Sequence, residues 1–321
     1  MGYGHVVPGP SYRLLIGAPK TSQTLTTPFS HAARGHSVTA GAAAIFAIVP
    51  VLLAGPLALV ASPEISKPAV DANVLAREVM RNEIQAQVRD QSLWSFRKIE
   101  EKDGHKDTFE VCQTNAGEIK RLIAVDGRPV DAEQRRAEDA RIHSLLAHPG
   151  QMRREVKKDH EDAEQSRQLM KMFPDAFHFH YAGNEGELVK LEFTPNPSFH
   201  PSGHAAEVFY HMTGILVVDA KQKRLAEING TLTSEVKFGG GIFGHLDKGG
   251  TFDVKQEDLG SGHWEVTDLV VHMVGKALFF KTIDVNQDDK YSNFKPVTRA
   301  ITLAKAVQLV GANEDAHALQ N

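Results

Sequence analysis

The sequence predicts an α+β protein: a large, curved antiparallel sheet (an open half-barrel) with helices on one face, preceded by a hydrophobic signal or anchor helix. Three observations support this prediction. Residues 38–61 form an uncharged apolar run of 24 residues. Most of the chain that follows alternates apolar and polar side chains with a period of two, as half-buried strands do. The gaps between these segments are too short for parallel crossovers, which need about a dozen residues.

The apolar run 38–61 is long enough to cross a membrane, since the hydrocarbon core takes about 20 residues. Residues 1–37, a basic extension expected to be disordered, contain three basic side chains and no acidic one. A basic flank favours retention in the cytoplasm. The run ends in Leu59-Val60-Ala61, which fits a signal-peptidase site. We therefore expect a periplasmic or extracytoplasmic protein, with either a cleaved signal peptide or one helix left in the inner membrane.

The charge of the exported part excludes one class of partner. Without the first 63 residues the chain keeps 33 basic and 40 acidic side chains, a formal net charge of −7. Binding to nucleic acid needs clustered Lys and Arg, so we expect no nucleic-acid partner. Cys112 is the single cysteine, so no intramolecular disulfide forms. Its place in an alternating strand predicts a quiet structural residue rather than a reactive thiol.

The first half of the domain at 69–310, which follows a linker at 62–68, begins with a helix and three strands. Apolar residues recur with helical spacing over 69–90, and Asp71 or Asn73 can cap this helix. The period then changes to two over 93–101, 105–113 and 118–125.

A charged helical insertion is predicted at 131–173, broken at Pro149-Gly150. Its polar face mixes both signs of charge. Such a face is usually solvated and laced with local ion pairs, although a docking surface is the alternative.

Strands dominate after Pro174. The alternating or apolar segments are 177–181, 189–193, 213–219, 226–233, 251–255, 264–273 and 276–285. The last two are expected to be joined at Val274-Gly275. A final helix is predicted at 302–309, followed by a disordered tail at 311–321.

Two unusual loops interrupt these strands. The first, 193–203, contains three prolines that fix the backbone, and forms either a lip over a binding trough or a strap over a sheet edge. The second, 239–244, matches a dinucleotide fingerprint only superficially, because a strand and not a helix follows it. We interpret these glycines as a corner of the sheet, anchored by Phe238 and Phe243.

The sequence offers no defined catalytic or metal site, and we predict no catalytic residue, no bound metal and no cofactor. His178 and His180 share one strand face, and His200, His204, His211 and Glu207 follow. Imidazole is a usual zinc ligand, but the spacing fixes no third ligand. A metal-dependent hydrolase built on His178, His180 and His204 is therefore kept only as an alternative.

Several segments carry a resemblance to known proteins. They are Phe193-Thr-Pro-Asn-Pro, Gly214-Ile-Leu-Val-Val-Asp, Arg224-Leu-Ala-Glu-Ile-Asn-Gly, Val236-Lys-Phe-Gly-Gly-Gly-Ile-Phe-Gly, Lys248-Gly-Gly and Gly262-His-Trp. With these the chain resembles an uncharacterised family of exported acidobacterial-type proteins. In the order of its elements it is distantly similar to the outer-membrane lipoprotein-sorting superfamily, which includes LolA, LolB and RseB. That likeness implies a periplasmic half-barrel that holds acyl chains or lipoproteins, and no residue-level binding motif.

We therefore expect a non-enzymatic envelope protein that binds an acyl chain, a lipoprotein or another apolar ligand in a concave sheet. The predicted lining residues are Val189, Leu191, Phe193, Phe199, Ile228, Leu232, Phe252, Val254, Trp264, Val266 and Phe280. Plain core packing is the alternative for each of them. The alternative function is a membrane-tethered sensor or interaction module that docks an envelope membrane protein and contacts the membrane through 38–61.

Overall fold

The computed structural model describes residues 70–102, 104–277 and 281–318. The predicted extension at 1–37, the apolar run at 38–61 and the linker at 62–68 lie outside these residues. Among the helices that are described, none combines the length and the apolar character needed to span a bilayer.

The described chain forms an α+β fold around one open antiparallel sheet. Its strands are β1 (Leu93–Lys102), β2 (His105–Thr114), β3 (Gly117–Val125), β4 (Arg128–Pro129), β5 (Phe177–Glu185), β6 (Leu188–Pro195), β7 (Met212–Asp219), β8 (Arg224–Leu232), β9 (Val236–Phe238), β10 (Gly244–Leu246), β11 (Thr251–Asp258), β12 (Trp264–Ala277) and β13 (Lys281–Val297). The order is β4-β3-β2-β1-β13-β12-β11-β8-β7-β6-β5, with β10 paired to β12 and to β9. Because β4 and β5 end this path, the sheet is not closed.

The helices begin and end for local reasons. They are α1 (Ala72–Arg89), α2 (Ala132–Ala147), α3 (Pro149–Ala176) and α4 (Leu303–Ala318). The Asp71 carboxylate accepts hydrogen bonds from the first-turn amides of α1, as predicted. Pro149 starts α3, because proline is tolerated in the first turn of a helix. The last helix continues to Ala318, whereas the sequence predicted that it stops at residue 309 and gives way to a disordered tail.

Helices pack on both faces of the sheet, so the prediction that they lie on one face is wrong. Val111 and Cys112 are neighbours on β2, and neighbouring strand residues point to opposite faces. Val111 belongs to the large core with residues of α1 and α3. Cys112 belongs to a second core with residues of α2, α3 and α4. We call the face of Val111 the core face and the face of Cys112 the second face.

The predicted turn at Val274-Gly275 is wrong as well. Strand β12 runs through both residues to Ala277, and Gly275 pairs with Leu246 of β10. A Cβ atom at Gly275 would collide with the backbone carbonyl oxygen of His245. This glycine therefore allows a third strand to approach closely, which is the other common reason for a glycine within a strand.

A pair of glycines lets two aromatic rings pack on the core face. Gly214 of β7 and Gly230 of β8 lie opposite each other. A Cβ atom on Gly214 would lie 2.7 Å from Cζ of Phe193, and one on Gly230 would lie 2.5 Å from Cε1 of Phe252. The rings thus occupy space that side chains would take, and at Gly214 the backbone carbonyl oxygen of Asn229 lies nearer still.

We expect Gly214→Ala to lower the free energy of unfolding by about 1–3 kcal/mol, because the added methyl overpacks a closed site. Chemical denaturation measures this loss. Gly311→Ala on α4 is the matched control: no atom lies within 4 Å of its Cβ position. It should raise stability by up to about 1 kcal/mol through helix propensity. Equal effects of the two substitutions would contradict the close packing of β7 and β8.

Candidate functional site

The predicted lining residues are brought together, but most of them are fully packed. Eight are buried: Leu191, Phe193, Phe199, Ile228, Leu232, Val254, Trp264 and Val266. Val189 and Phe252 are half-buried and pack against the same core. Phe280 lies outside the described residues. All the buried residues except Trp264 belong to the large core on the core face.

Helices α1 and α3 cover the part of the core face formed by β5–β8. Helix α1 packs on β5 and β8, and α3 packs on β5. The aromatic ring of Phe173, at the end of α3, has its centroid 4.7 Å from that of Phe177 and 5.3 Å from that of Phe193. This part of the core face is filled by the protein's own side chains.

The rest of the core face is less covered, since no described helix packs extensively on β11, β12 or β13. Half-buried apolar side chains lie on this part and on β2 and β3, among buried ones such as Val254, Leu269 and Met273. They include Phe109, Leu122, Phe252, Val271 and Ile283. Phe252 pairs with Val271, Val271 pairs with Gln287 of β13, and Ile283 lies four residues before Gln287. Phe109 pairs with Leu122 and with Lys98, and Lys98 pairs with Tyr291, four residues after Gln287. The register therefore places all five side chains on one face. We call these five residues the half-buried row.

A charge network lies on the core face beside this row. The buried ammonium of Lys98 is 2.8 Å from Oδ2 of Asp289 and 2.6 Å from Oε1 of Glu100. The amide of Gln287 and the hydroxyl of Tyr291 both donate to Asp289. The Nζ of Lys120 lies 3.4 Å from Glu100 and 5.6 Å from the ring centroid of Phe109. The core face thus carries the half-buried row next to a group of positive and negative side chains that pair with one another.

The network predicts how stability depends on pH. Burial alone would raise the pKa of Glu100, but the ammonium groups of Lys98 and Lys120 outweigh it and lower the pKa to about 2. Because the folded value lies below the unfolded one, this carboxylate stabilises the fold above about pH 4.5, and the stabilisation is lost as pH falls towards 2. Glu100→Gln should therefore flatten the loss of stability over this range, measured by urea unfolding at several pH values. The exposed neighbour Glu101→Gln is the control, and an unchanged slope in Glu100→Gln would contradict the prediction.

A cleft of about 610 Å³ opens at the C-terminal end of α1. Its walls come from α1, the α1–β1 connection and the ends of β1, β8, β11, β12 and β13. The lining residues are Glu83, Ala86, Gln87, Arg89, Asp90, Gln91, Ser92, Leu93, Arg224, Gln256, Gly262, His263, Trp264, Glu265, Pro296, Val297 and Arg299. Of these, only Trp264 was singled out from the sequence as a lining residue.

An aspartate, a histidine and a serine meet in this cleft without forming a catalytic triad. Nδ1 of His263 lies 3.1 Å from Oδ2 of Asp90 and 3.4 Å from Oγ of Ser92. A triad needs the serine on the other ring nitrogen, where the base can take its proton. Burial raises the pKa of Asp90, but hydrogen bonds from Ser92 and His263 outweigh it, so the pKa lies below its ordinary value. The group therefore joins α1 to the β11–β12 turn.

The histidines considered for a metal site are not assembled. His178 and His180 are exposed on β5, and Nδ1 of His204 contacts Oε1 of Glu207 at 2.7 Å. Within the described ranges, the one group of three ligand-type side chains with donor atoms inside 4.8 Å is Glu235, His245 and Asp247. It flanks the β9–β10 hairpin near the surface, and no spacing pattern in the sequence indicated it.

The two unusual loops and the cysteine have structural roles. Phe199 of the proline-rich loop is buried, and Tyr210 donates its hydroxyl hydrogen to the Phe199 carbonyl. The glycines 239–241 form the turn of the β9–β10 hairpin rather than a corner of a continuous strand, and Phe243 is 47% exposed. Cys112 is fully buried, and burial raises its pKa to about 11, as fits an unreactive thiol.

Comparison with known proteins adds little. No family model matches this chain, and no curated protein does. Among solved structures, a DUF1329 family protein from Desulfovibrio piger is similar, with 10% sequence identity and a TM-score of 0.27. The match covers 75% of this chain and 100% of that one. At this level the likeness carries no argument, and the link to the lipoprotein-sorting superfamily stays a prediction.

Proposed function

We propose that this protein is an envelope binding protein that holds an acyl chain or another apolar ligand on the core face of its sheet. The observation that supports this proposal is the change in burial along that face. Most apolar side chains are buried where α1 and α3 cover β5–β8, whereas β2, β3, β11, β12 and β13 carry the half-buried row beside buried side chains such as Leu269 and Met273. The half-buried row therefore offers apolar area that a ligand can remove from water.

The energetics are adequate for a chain-like ligand. Each buried methylene contributes about 0.8 kcal/mol, so six methylenes give roughly 5 kcal/mol before the cost of association is subtracted. The row lies next to the Lys98 network. The positive and negative side chains of this network already pair with one another, so a charged group of a ligand has no partner there. An uncharged apolar segment is thus the part of a ligand that fits here.

The cellular setting of the proposal comes from the sequence. The apolar run 38–61 and the basic flank that precedes it favour an exported protein. In the same proposal the open sheet curves into a half-barrel, with the half-buried row on its concave side. A mature protein that keeps 38–61 would favour the alternative, a tethered interaction module, because a tethered domain cannot carry cargo between membranes.

The test compares two adjacent valines of β12. Val271 belongs to the half-buried row, whereas Val270 points to the second face and pairs with Asp253 and Asp288. Val271→Trp fills the space above the row, so uptake of a fluorescent fatty acid by the full chain should weaken about tenfold or more. Val270→Trp adds the same bulk on the other face and should leave uptake close to that of the wild type.

Two results would contradict the proposal. One is that protein purified from the cells that make it naturally carries no lipid, as measured by extraction and mass spectrometry, and takes up no fatty acid afterwards. The other is equal weakening by Val270→Trp and Val271→Trp while both variants keep the thermal midpoint of the wild type.

A further inference from the structure

We infer that the cleft at the C-terminal end of α1 binds a small ligand in which an anionic group is attached to an apolar body. The cleft volume of about 610 Å³ falls in the range of about 300–1,000 Å³ that ligand pockets have. The inference does not rest on the proposed function, because the cleft is lined by Gln256 and Trp264, away from Phe252 and Val271 of the half-buried row.

Two of the carboxylates in the cleft are already engaged by the protein itself. Glu83 is 2% exposed and accepts from Nε and Nη2 of Arg224 and from the amide of Leu225. Asp90 accepts from the amide of Ser92 and contacts His263. These acids hold the walls of the cleft in place and offer little to a cationic ligand.

Two arginines of the cleft, in contrast, can bind an anionic group of a ligand. Arg299 donates to the backbone carbonyl and the side-chain oxygen of Gln91, both neutral acceptors. Arg89 is exposed in the last turn of α1. Within the described part of the chain, neither guanidinium forms an ion pair with a carboxylate. Guanidinium groups bind carboxylates and phosphates through paired donors, so an anionic group is favoured here.

The remaining walls combine apolar side chains with Gln87, Gln256 and the buried carboxylate of Glu265. Trp264 is 7% exposed, its indole N–H donates to Gln222, and the guanidinium of Arg224 lies 5.6 Å from its ring centroid. Trp94 packs edge-on against His263 at 5.9 Å between centroids. Trp94 itself does not line the cleft, and its indole N–H is buried. Leu93, Pro296 and Val297 complete the apolar lining.

The two tryptophans of the chain allow a direct test, because one lines the cleft and the other contacts a residue that does. The full chain is titrated with hexanoate, hexanol and inorganic phosphate, and intrinsic tryptophan fluorescence is recorded. Hexanoate combines an anion with an apolar chain, and each of the other two has one of these features. We expect a saturable change with hexanoate at a concentration about tenfold lower than with either of the others.

Variants locate the anion. The double variant Arg89→Gln, Arg299→Gln should bind hexanoate about tenfold more weakly, since a charge-assisted hydrogen bond is lost with each arginine. Arg81→Gln is the matched control, because this exposed arginine lies on α1 outside the cleft, and it should bind as the wild type does.

Equal responses to hexanoate and hexanol would overturn the anionic part of the inference. Equal responses to hexanoate and phosphate would overturn the apolar part. No response to any probe, or hexanoate binding unchanged in the double variant with a wild-type melting temperature, would overturn it entirely. None of these outcomes depends on Val271, so failure here and failure of the proposed function are told apart.

Discussion

Replacing Glu83 with alanine should lower the free energy of unfolding by about 3–5 kcal/mol, because it leaves a largely buried guanidinium without its partner. The Glu83 carboxylate lies 2.6 Å from Nε of Arg224, and the side chains are 2% and 13% exposed. It also accepts from the amide of Leu225 at 2.9 Å. Loss of Glu83 therefore strands one charged group and one backbone donor at the point where α1 meets β8. Urea denaturation followed by circular dichroism measures the effect.

A second ion pair, between α1 and the residue that precedes β8, provides the control. Nζ of Lys223 lies 2.8 Å from Oε1 of Glu78, and these side chains are 41% and 27% exposed. Solvent-exposed pairs of this kind contribute about 0–1 kcal/mol, so Glu78→Ala should cost little. The double variant Glu83→Ala, Arg224→Met should recover part of the loss, because it removes the stranded charge. Similar losses in Glu78→Ala and Glu83→Ala would show that burial does not govern these pairs.

Phe173→Ala should destabilise the protein by about 3–5 kcal/mol, the usual cost of truncating a fully buried aromatic side chain. Phe173 has no exposed surface, and its ring centroid lies between 4.7 and 6.0 Å from those of four other phenylalanines. These partners come from β5, β6 and the 3-10 turn His204–His211, so the variant weakens the contact of α3 with three elements at once. Thermal and urea unfolding both measure the loss.

Phe243→Ala is the matched substitution on the surface. Its side chain is 47% exposed in the β9–β10 hairpin, where it contacts His204. Removing it should change stability by about 0.5 kcal/mol or less. If the two alanine variants unfolded at the same urea concentration, the aromatic cluster around Phe173 would not be the centre of the core.

Much of the fold could be predicted from local patterns. The strands expected at 93–101 and 105–113 are present as β1 and β2. They were predictable because apolar and polar side chains alternate along a strand that buries one face. The break at Pro149 was also predictable from proline chemistry. The second half of β13 was not, because residues such as Asp288 and Asp289 look like a loop. The charge of the buried Asp289 is neutralised by Lys98, which lies almost two hundred residues earlier in the chain and reaches it from β1.

The candidate sites could be predicted from the sequence only in part. The alternation correctly indicated which residues share a face, but not that α1 and α3 pack over Phe193 and Ile228. The cleft was missed because its members come from distant segments: Asp90 and His263 are 173 residues apart. Gly262-His-Trp264 stood out as a motif, yet nothing local links it to the end of a helix near residue 90. Long-range pairing of this kind is fixed by the sheet order, which local patterns in a single sequence do not reveal.

The two edge strands of the sheet, β4 and β5, differ in how another chain could pair with them. Strand β4 has two residues and ends in Pro129, which lacks the N–H that another chain would need for pairing. Strand β5 has nine residues, and its outward amide at Phe179 is bonded by the Asn73 side chain of α1, while the Tyr181 hydroxyl holds the carbonyl of Val70. The start of α1 thus shields the long border from intermolecular β-pairing. Detachment of that first turn would expose the backbone N–H and C=O groups of β5 to pairing with another chain.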